Sequence, residues 1–339
     1  MKLATFETIL EISPIEGADR IELARIQGWQ SVIKKGEYKV GDVVIFVPID
    51  TVMQPKDWNT FLWDKENPSK EIRVKTVKLK GTVSQGIIFP LSIVDNCTLT
   101  TDPDSLANIL SITKYEKPIP AHLGGQIVGD FPSHLVSRTD EDNLKSNIIV
   151  LEELKFADQV EATLKIDGTS ATYIKELDGT FRVCSRNLEL KDTESNIHWQ
   201  MARKYNIKEH LRPGTCIQGE IAGPGIQGNP AGFSEVEFFI FNVIDLKSGM
   251  SLSRNNWFEP IVAKIDHVKE VPSVKIWAKE EFSNLSIDDL QSYVNTIKYP
   301  NNKPAEGLVF RGFKDGSTMY SKTLHKMLSV KIINQNFKD

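Results

Sequence analysis

The sequence predicts an α+β protein in two parts, a small all-β barrel followed by a larger domain of antiparallel sheets with helices. Three observations lead there. The chain has 339 residues, more than one ordinary domain of roughly 100 to 200 residues holds. From Ala4 to Leu91 it carries only short alternating or apolar segments between turn signals, and from Ile148 onward strand-like runs alternate with helical patterns. With 25% charged and 40% hydrophobic residues and a formal net charge of −4, the composition is globular and excludes disorder, a collagen-like repeat or a supercharged tail.

In the first part the turn signals are Pro14 to Asp19, Gly28, Lys35 with Gly36, Gly41 with Asp42, and Gly81. The segments Gly28 to Ile33, Asp42 to Ile49 and Gly86 to Phe89 read as strands, and their spacing suits a barrel of the OB type. Arg73 with Lys75, and Lys78 with Lys80, lie two apart in a Val- and Thr-rich segment, so strand periodicity would put each pair on one face. Such a stripe is either the footprint of a phosphate-backbone reader, with Trp29, Tyr38 and Trp58 available for stacking, or an edge strand protected by its lysines. The expected barrel domain is 1–95. Residues 96–135, rich in Pro and Gly (Pro103, Pro118, Pro120, Gly124, Gly125, Gly129, Pro132) with one helical stretch near Leu106, read as a linker. Residues 136–339 form the second domain, with helical patterns over Asn196 to His210 and Ile287 to Ile297.

Several function classes fall away. The longest apolar runs, Gly86 to Leu91 and Phe238 to Val243, are far shorter than the roughly 20 residues of a membrane-spanning helix. The start of the chain lacks a secretory signal, and Cys97, Cys184 and Cys216 form neither a disulfide framework nor a metal motif. The expectation is an intracellular protein, cytoplasmic or nuclear. The six histidines show no zinc-ligand spacing, and Gly223 to Gly228 lacks the Lys-Ser or Lys-Thr pair of a phosphate loop.

The chemistry concentrates in Lys165-Ile166-Asp167-Gly168-Thr169-Ser170, between the strand-like runs Val160 to Leu164 and Ala171 to Ile174. A lysine at a strand end beside an acid and a glycine is placed to act as a nucleophile, although Asp-Gly is also a common hairpin turn. Further on, Val183 to Asn187 ends a strand in a polar cluster. Ile217 to Ile221 and Glu306 to Phe310 each place one acid, Glu220 or Glu306, in apolar strand sequence, and Ser329 to Ile333 places the cation Lys331 likewise. Buried strand charges need partners or a metal.

Taken in order, these segments resemble the covalent nucleotidyltransferases: DNA and RNA ligases and messenger RNA capping enzymes. Lys165 to Gly168 is similar to their nucleophile motif, Ser185-Arg186 to the second, Gly219-Glu220 to the third, Phe238 to Val243 to the aromatic strand beside the nucleotide, Glu306-Gly307 to the fourth and Val330-Lys331 to the fifth. The N-terminal half resembles RNA ligases of the Deinococcus and Naegleria type, in which an OB domain precedes the ATP-grasp-like ligase (nucleotidyltransferase) domain. That likeness rests on Pro14 to Glu22, Gly28-Trp29-Gln30, Val32 to Glu37, Lys78 to Gly81, Ser84-Gln85-Gly86 and Arg138 to Glu141. Only a short tail follows Lys331, so no C-terminal OB domain of the commoner ligases is expected. Two positions depart from the pattern. Ser329 stands where many RNA ligases have a first lysine of the fifth motif, leaving Lys322 or Lys326 as substitutes, and Leu164 stands where many have glutamate.

The resemblance implies an ATP-dependent RNA ligase that joins 3′-hydroxyl and 5′-phosphate RNA ends, at nicks in duplexes, through lysyl-AMP. Lys165 would be the nucleophile and Lys331 would neutralise the α-phosphate. Arg186 would contact ribose or phosphate, and Phe241, with Phe239 as the fallback, would pack on adenine. Asp167, Glu220 and Glu306 would hold Mg²⁺ or Mn²⁺ through its waters, since such ions keep their hydration. An amine of ordinary pKa about 10.4 is almost wholly protonated at pH 7, so the expectation is that a divalent metal held close by depresses the pKa of Lys165. A noncatalytic RNA-binding OB protein, a GTP-using capping guanylyltransferase and a DNA ligase are the alternatives.

Overall fold

The computed structural model describes residues 2–94, 97–115, 125–252, 262–265 and 267–338. The chain divides into two compact units, Met1–Pro118 with Lys145–Ile148, and Ile119–Leu144 with Ile149–Asp339. The segment expected as a linker is shared between them. Asp102 starts a helix there by accepting from the amides of Asp104 at 3.2 Å and Ser105 at 3.0 Å, with Pro103 at the first helical position, where its missing N–H costs nothing. The helix Pro103–Leu110 ends at Ser111 in the left-handed region and leads into the strand Ile112–Lys114 of the first unit, whereas Ile127–Asp130 pairs in the second. Asn96, Pro118, Pro120 and Gly124 lie outside the described residues.

The first unit is built of short antiparallel sheets: Thr5–Thr8, Val43–Val47 and Ile87–Phe89 in one, Glu11–Pro14, Ile21–Ile26 and Trp29–Lys34 in another, and Thr51–Met53 with its partners in a third. Side chains lace them together. Ser31 Oγ donates to the Gly86 carbonyl at 3.0 Å, and the Val32 amide donates to Ser84 Oγ at 2.9 Å. Gly86 has φ +91°, and a β-carbon there would meet the Phe46 ring at 2.5 Å, so the strand crossing requires glycine.

Two expectations for this unit are corrected. Arg73 to Lys80 is not one strand: Ile72–Arg73 and Val77–Leu79 belong to different sheets, and Lys80 sits in the turn at φ +49°. Arg73 instead donates to Asp50 at 3.1 Å and lies 3.6 Å from the Tyr115 ring centroid. Trp29 offers no stacking face, because it is buried against Phe46.

Among the described residues the second unit holds a two-stranded sheet, Tyr320–Ser321 with Lys326–Met327, and two large ones. The larger runs Ile127–Asp130, Leu188–Leu190, Phe181–Cys184, Thr169–Lys175, Thr215–Ala222, Glu237–Asp245 and Met250–Ser251. The other runs Asp142–Asn143, Ser329–Ile333, Gly307–Lys314, Gln159–Lys165 and Ser273–Ala278. Pairing is antiparallel apart from Asp142–Asn143 on Ser329–Ile333 and Lys269–Glu270 on Glu237–Asp245. The helix Ile287–Thr296, opened by a Ser286–Asp289 capping box, packs Leu290 and Val294 into a core shared with Trp277, Phe282 and Phe310. The helical pattern over Asn196 to His210 is broken at Asn206, which takes φ +49° between Ile197–Lys204 and Ile207–His210. Among the described residues no helix is long and apolar enough to cross a membrane.

Phe310 is fully buried and stacks on Trp277 with ring centroids 5.9 Å apart. Phe310→Ala should lose about 3–5 kcal/mol of stability, read as a fall in the chemical-denaturation midpoint; a change under about 1 kcal/mol would contradict this packing.

Candidate active site

The site forms where the chain passes between the two sheets of the second unit. Lys165 is the last residue of Gln159–Lys165, and Thr169 opens Thr169–Lys175 in the other sheet. Gly168 lies at the crossing because a β-carbon would fall 2.3 Å from the Ile221 carbonyl oxygen. Register then brings the distant acids in. Lys165 pairs with Gly307, so Glu306 arrives beside it, and Ser170 pairs with Glu220 in the other sheet. Lys165 Nζ lies 2.8 Å from both Glu306 carboxylate oxygens, with the two side chains 25% and 17% exposed.

The protein's side chains alone set the charge of Lys165 in this site. Burial alone would lower the Lys165 pKa, but the charges of Glu306 and Glu220, the hydrogen bond to Glu306 and the charge of Asp167 together raise it above its ordinary value. The amine is therefore held as ammonium. Glu220 is pushed up to about 8, first by burial and then by Glu306 and Asp167, against the lowering influence of Lys165 and Arg186. Three acidic side chains thus face one ammonium, a surplus that fits a further cation. Among the described residues no group of three or more His, Cys, Asp or Glu is placed to hold a metal ion directly.

A slot opens beside Lys165. Phe241, Leu164, Val271 and Val309 give it apolar walls, and Thr139, Glu141, Thr163 and Arg311 give polar ones. Glu220 lines it as well. Lys331 pairs with Val309, and directly paired residues share a face of a sheet, so it belongs to the slot side of its strand. Phe241 lines the slot, while Phe239 is buried against Phe233 in the core. Arg186 does not line the slot; it is half-exposed and bonded to Asp140 at 2.5 Å. Lys326 is committed to Asp142 at 2.9 Å and the Asp140 carbonyl at 2.8 Å. Lys322 is exposed, and its charge acts on Glu153. Ser329 donates to Glu141 at 2.7 Å.

Three participants escaped sequence reasoning. Arg311, paired with Ser329, brings a guanidinium 3.8 Å from Glu141 and 6.0 Å from the Phe241 ring centroid; its signal was a cation alternating into the slot face five residues after Glu306. His198 is buried, donates Nε2–H to the Ser170 carbonyl at 3.1 Å, and is kept neutral, its pKa lowered to about 4 by burial. The hydroxyl of Tyr299, 2% exposed, reaches the backbone of Lys165, Asp167 and Glu306. Neither of the last two carried a local signal.

A barrel domain ahead of a two-sheet domain, with a lysine and acids gathered at the sheet crossing, defines a ligase with an N-terminal OB-fold module. Residues 3–91 match an OB-fold domain family, and residues 158–324 match the family described as RNA ligase. Among solved structures the chain is similar to an RNA ligase from Naegleria gruberi. An apo aspartate variant of that enzyme is 31% identical, with a TM-score of 0.84 and coverage of 98% of this chain and 96% of that one. Its form with PPi is 32% identical, TM-score 0.83, covering 98% and 97%, and a lysine-to-alanine variant with ATP and Mn is 31% identical, TM-score 0.83, covering 98% and 97%. No curated protein matches. The chain belongs to the RNA ligase family.

Because the folded-state pKa of Glu220 lies above its unfolded value, the folded protein holds that proton more tightly from about pH 4.5 to about 8. This contribution to stability is full below the window and is lost as pH rises through it. Without divalent cation, Glu220→Gln should therefore gain thermal stability relative to wild type between pH 5 and pH 9. An equal difference at both ends would mean that Glu220 is ionised throughout.

Proposed function

We propose that this protein uses ATP and a divalent cation to join RNA 3′-hydroxyl and 5′-phosphate ends, at nicks in duplexes inside the cell, through a covalent lysyl-AMP on Lys165. The observation that carries the reading is the Lys165 ammonium held among Glu306, Glu220 and Asp167 at the mouth of a slot walled by Phe241 and Val309. Four of the residues substituted in the Naegleria structures, a lysine, an aspartate two positions on and two later glutamates, match Lys165, Asp167, Glu220 and Glu306 in type and order. Those structures are described with ATP and Mn, AMP and Mn, or PPi, the reactant and product fragments that such a first step would need.

Lys165 must first lose a proton, and the Glu306 carboxylate at 2.8 Å receives it. Asp167, Glu220 and Glu306 would hold Mg²⁺ or Mn²⁺ by its waters, and the bound ion would offset the surplus negative charge that keeps Lys165 protonated. The neutral amine attacks the α-phosphorus of ATP, forming a P–N bond as the bond to pyrophosphate breaks. A 5′-phosphate oxygen of RNA then attacks the same phosphorus, and the P–N bond breaks to return Lys165. Finally the 3′-hydroxyl attacks the activated 5′-phosphate and AMP leaves. The chain's share is alignment and charge: Phe241 and Val309 sandwich the base, Lys331 faces the phosphates from the slot side of its strand, and Arg186 meets ribose or phosphate at the rim.

Two measurements test this. Intact-mass analysis after incubation with ATP and Mg²⁺ should show an adenylate on the Lys165 peptide, absent in Lys165→Ala; an adduct surviving in that variant would remove Lys165 from the role. Phe241→Ala should raise the ATP concentration for half-maximal labelling about tenfold, in line with the roughly 1–3 kcal/mol of one base–aromatic stack. An unchanged value would place the base elsewhere.

A further inference from the structure

Lys165, Asp167 and Glu306 come from two segments separated by 141 residues between Lys165 and Glu306, and a single hydroxyl joins their backbones. Tyr299 Oη donates to the Lys165 carbonyl at 2.9 Å and accepts from the amides of Asp167 at 3.1 Å and Glu306 at 3.2 Å. A phenol offers one donor and two lone pairs, and all are used. The need for it follows from the fold. Beyond Lys165 the chain leaves its strand, so the Lys165 carbonyl and the Asp167 amide lie outside the ladder that ends at the Lys165–Gly307 pair. Buried backbone groups require partners.

Tyr299 is itself fixed by a tight reversal of the chain. Its amide donates to the Lys303 carbonyl at 2.8 Å, its carbonyl accepts from the Asn302 amide at 2.9 Å, and the Ala305 amide closes onto Ile297 at 3.0 Å. Asn302 takes φ +65° in this turn. The ring packs in the core with Ala305 and Ile166. On the far side of the crossing Gly168 lies against the Ile221 carbonyl, so the Lys-Ile-Asp-Gly segment is pinned from both flanks.

We infer that Tyr299 is the positioning residue of the adenylation step: its hydroxyl fixes the Lys165 amine, through the backbone, relative to the carboxylates of Asp167 and Glu306, while touching neither nucleotide nor RNA. The inference rests on the lysyl-AMP reading above. Such a residue governs the rate of a bound complex rather than its formation, because misplacing a reacting group by about 1 Å costs on the order of a hundredfold in rate while the slot stays intact.

The test is single-turnover transfer of label from α-labelled ATP in Mg²⁺, with the rate constant and the half-saturating ATP concentration measured separately. Tyr299→Phe keeps the ring and removes the hydroxyl. It should lower the rate constant at saturating ATP by about 10- to 100-fold and leave half-saturation within about threefold. Replacing Tyr299 by 4-aminophenylalanine, which keeps a donor but is a poorer acceptor, should give a rate between the two. Where Tyr299→Phe does not fold, the 4-aminophenylalanine protein carries the test alone, with an expected loss of about 3- to 10-fold. Phe282→Leu, in the same core and away from the site, should lower thermal stability without lowering the rate. A folded Tyr299→Phe protein that adenylates at the wild-type rate, or one altered only in half-saturation, overturns the inference. So does a 4-aminophenylalanine protein as fast as wild type in the absence of a folded Tyr299→Phe. Wild-type protein that takes up no label overturns the adenylation reading itself.

Discussion

The structure depends on one electrostatic arrangement: a single ammonium, Lys165, shared by carboxylates that reach it from three parts of the chain. Burial opposes charge at such a place, and here the opposition is settled by proximity to Glu306 and Glu220. The surroundings follow from that choice. The strand crossing is narrow enough to demand Gly168, the register sets Glu306 beside the amine, and Arg186 contributes its positive field to Glu220 from half-exposed ground. In this state Lys165 is held protonated, so the role proposed for it waits on a change in the local charge balance.

Much of this was legible in sequence because strands announce themselves by alternation and because residue order survives folding. Val160 to Leu164, Ala171 to Ile174, Phe238 to Val243 and Ile287 to Thr296 all lie in elements of the expected type, and Phe241 lines the slot. What stayed hidden depends on register and on tertiary pairing. Nothing local says that Arg73 will turn to Asp50 and Tyr115 instead of joining Lys75 in a solvent stripe. Likewise the direction of the Lys165 shift could not be read from Lys165 to Gly168, since two of the three acids that decide it lie outside that segment.

The region between the domains shows a different limit. Proline and glycine content suggested a linker with one helical stretch near Leu106, and the Asp102 cap with Pro103 behind it starts that helix, but nothing local says that the segment divides between the two units. The interruption of Ile197–Lys204 and Ile207–His210 is of the opposite kind. Asn206 takes a left-handed conformation within an unbroken helical pattern, and asparagine tolerates that conformation better than most side chains.

The two sheets of the second unit also divide the acids mechanically. Lys165 and Glu306 ride on neighbouring strands of one ladder, where hydrogen bonds resist relative movement, whereas Glu220 belongs to the facing layer. A shift of one sheet against the other would therefore change the Glu220 separation more than the Glu306 contact. The two acids would then answer differently to such a shift, one tied to the ladder of Lys165 and the other to the neighbouring sheet.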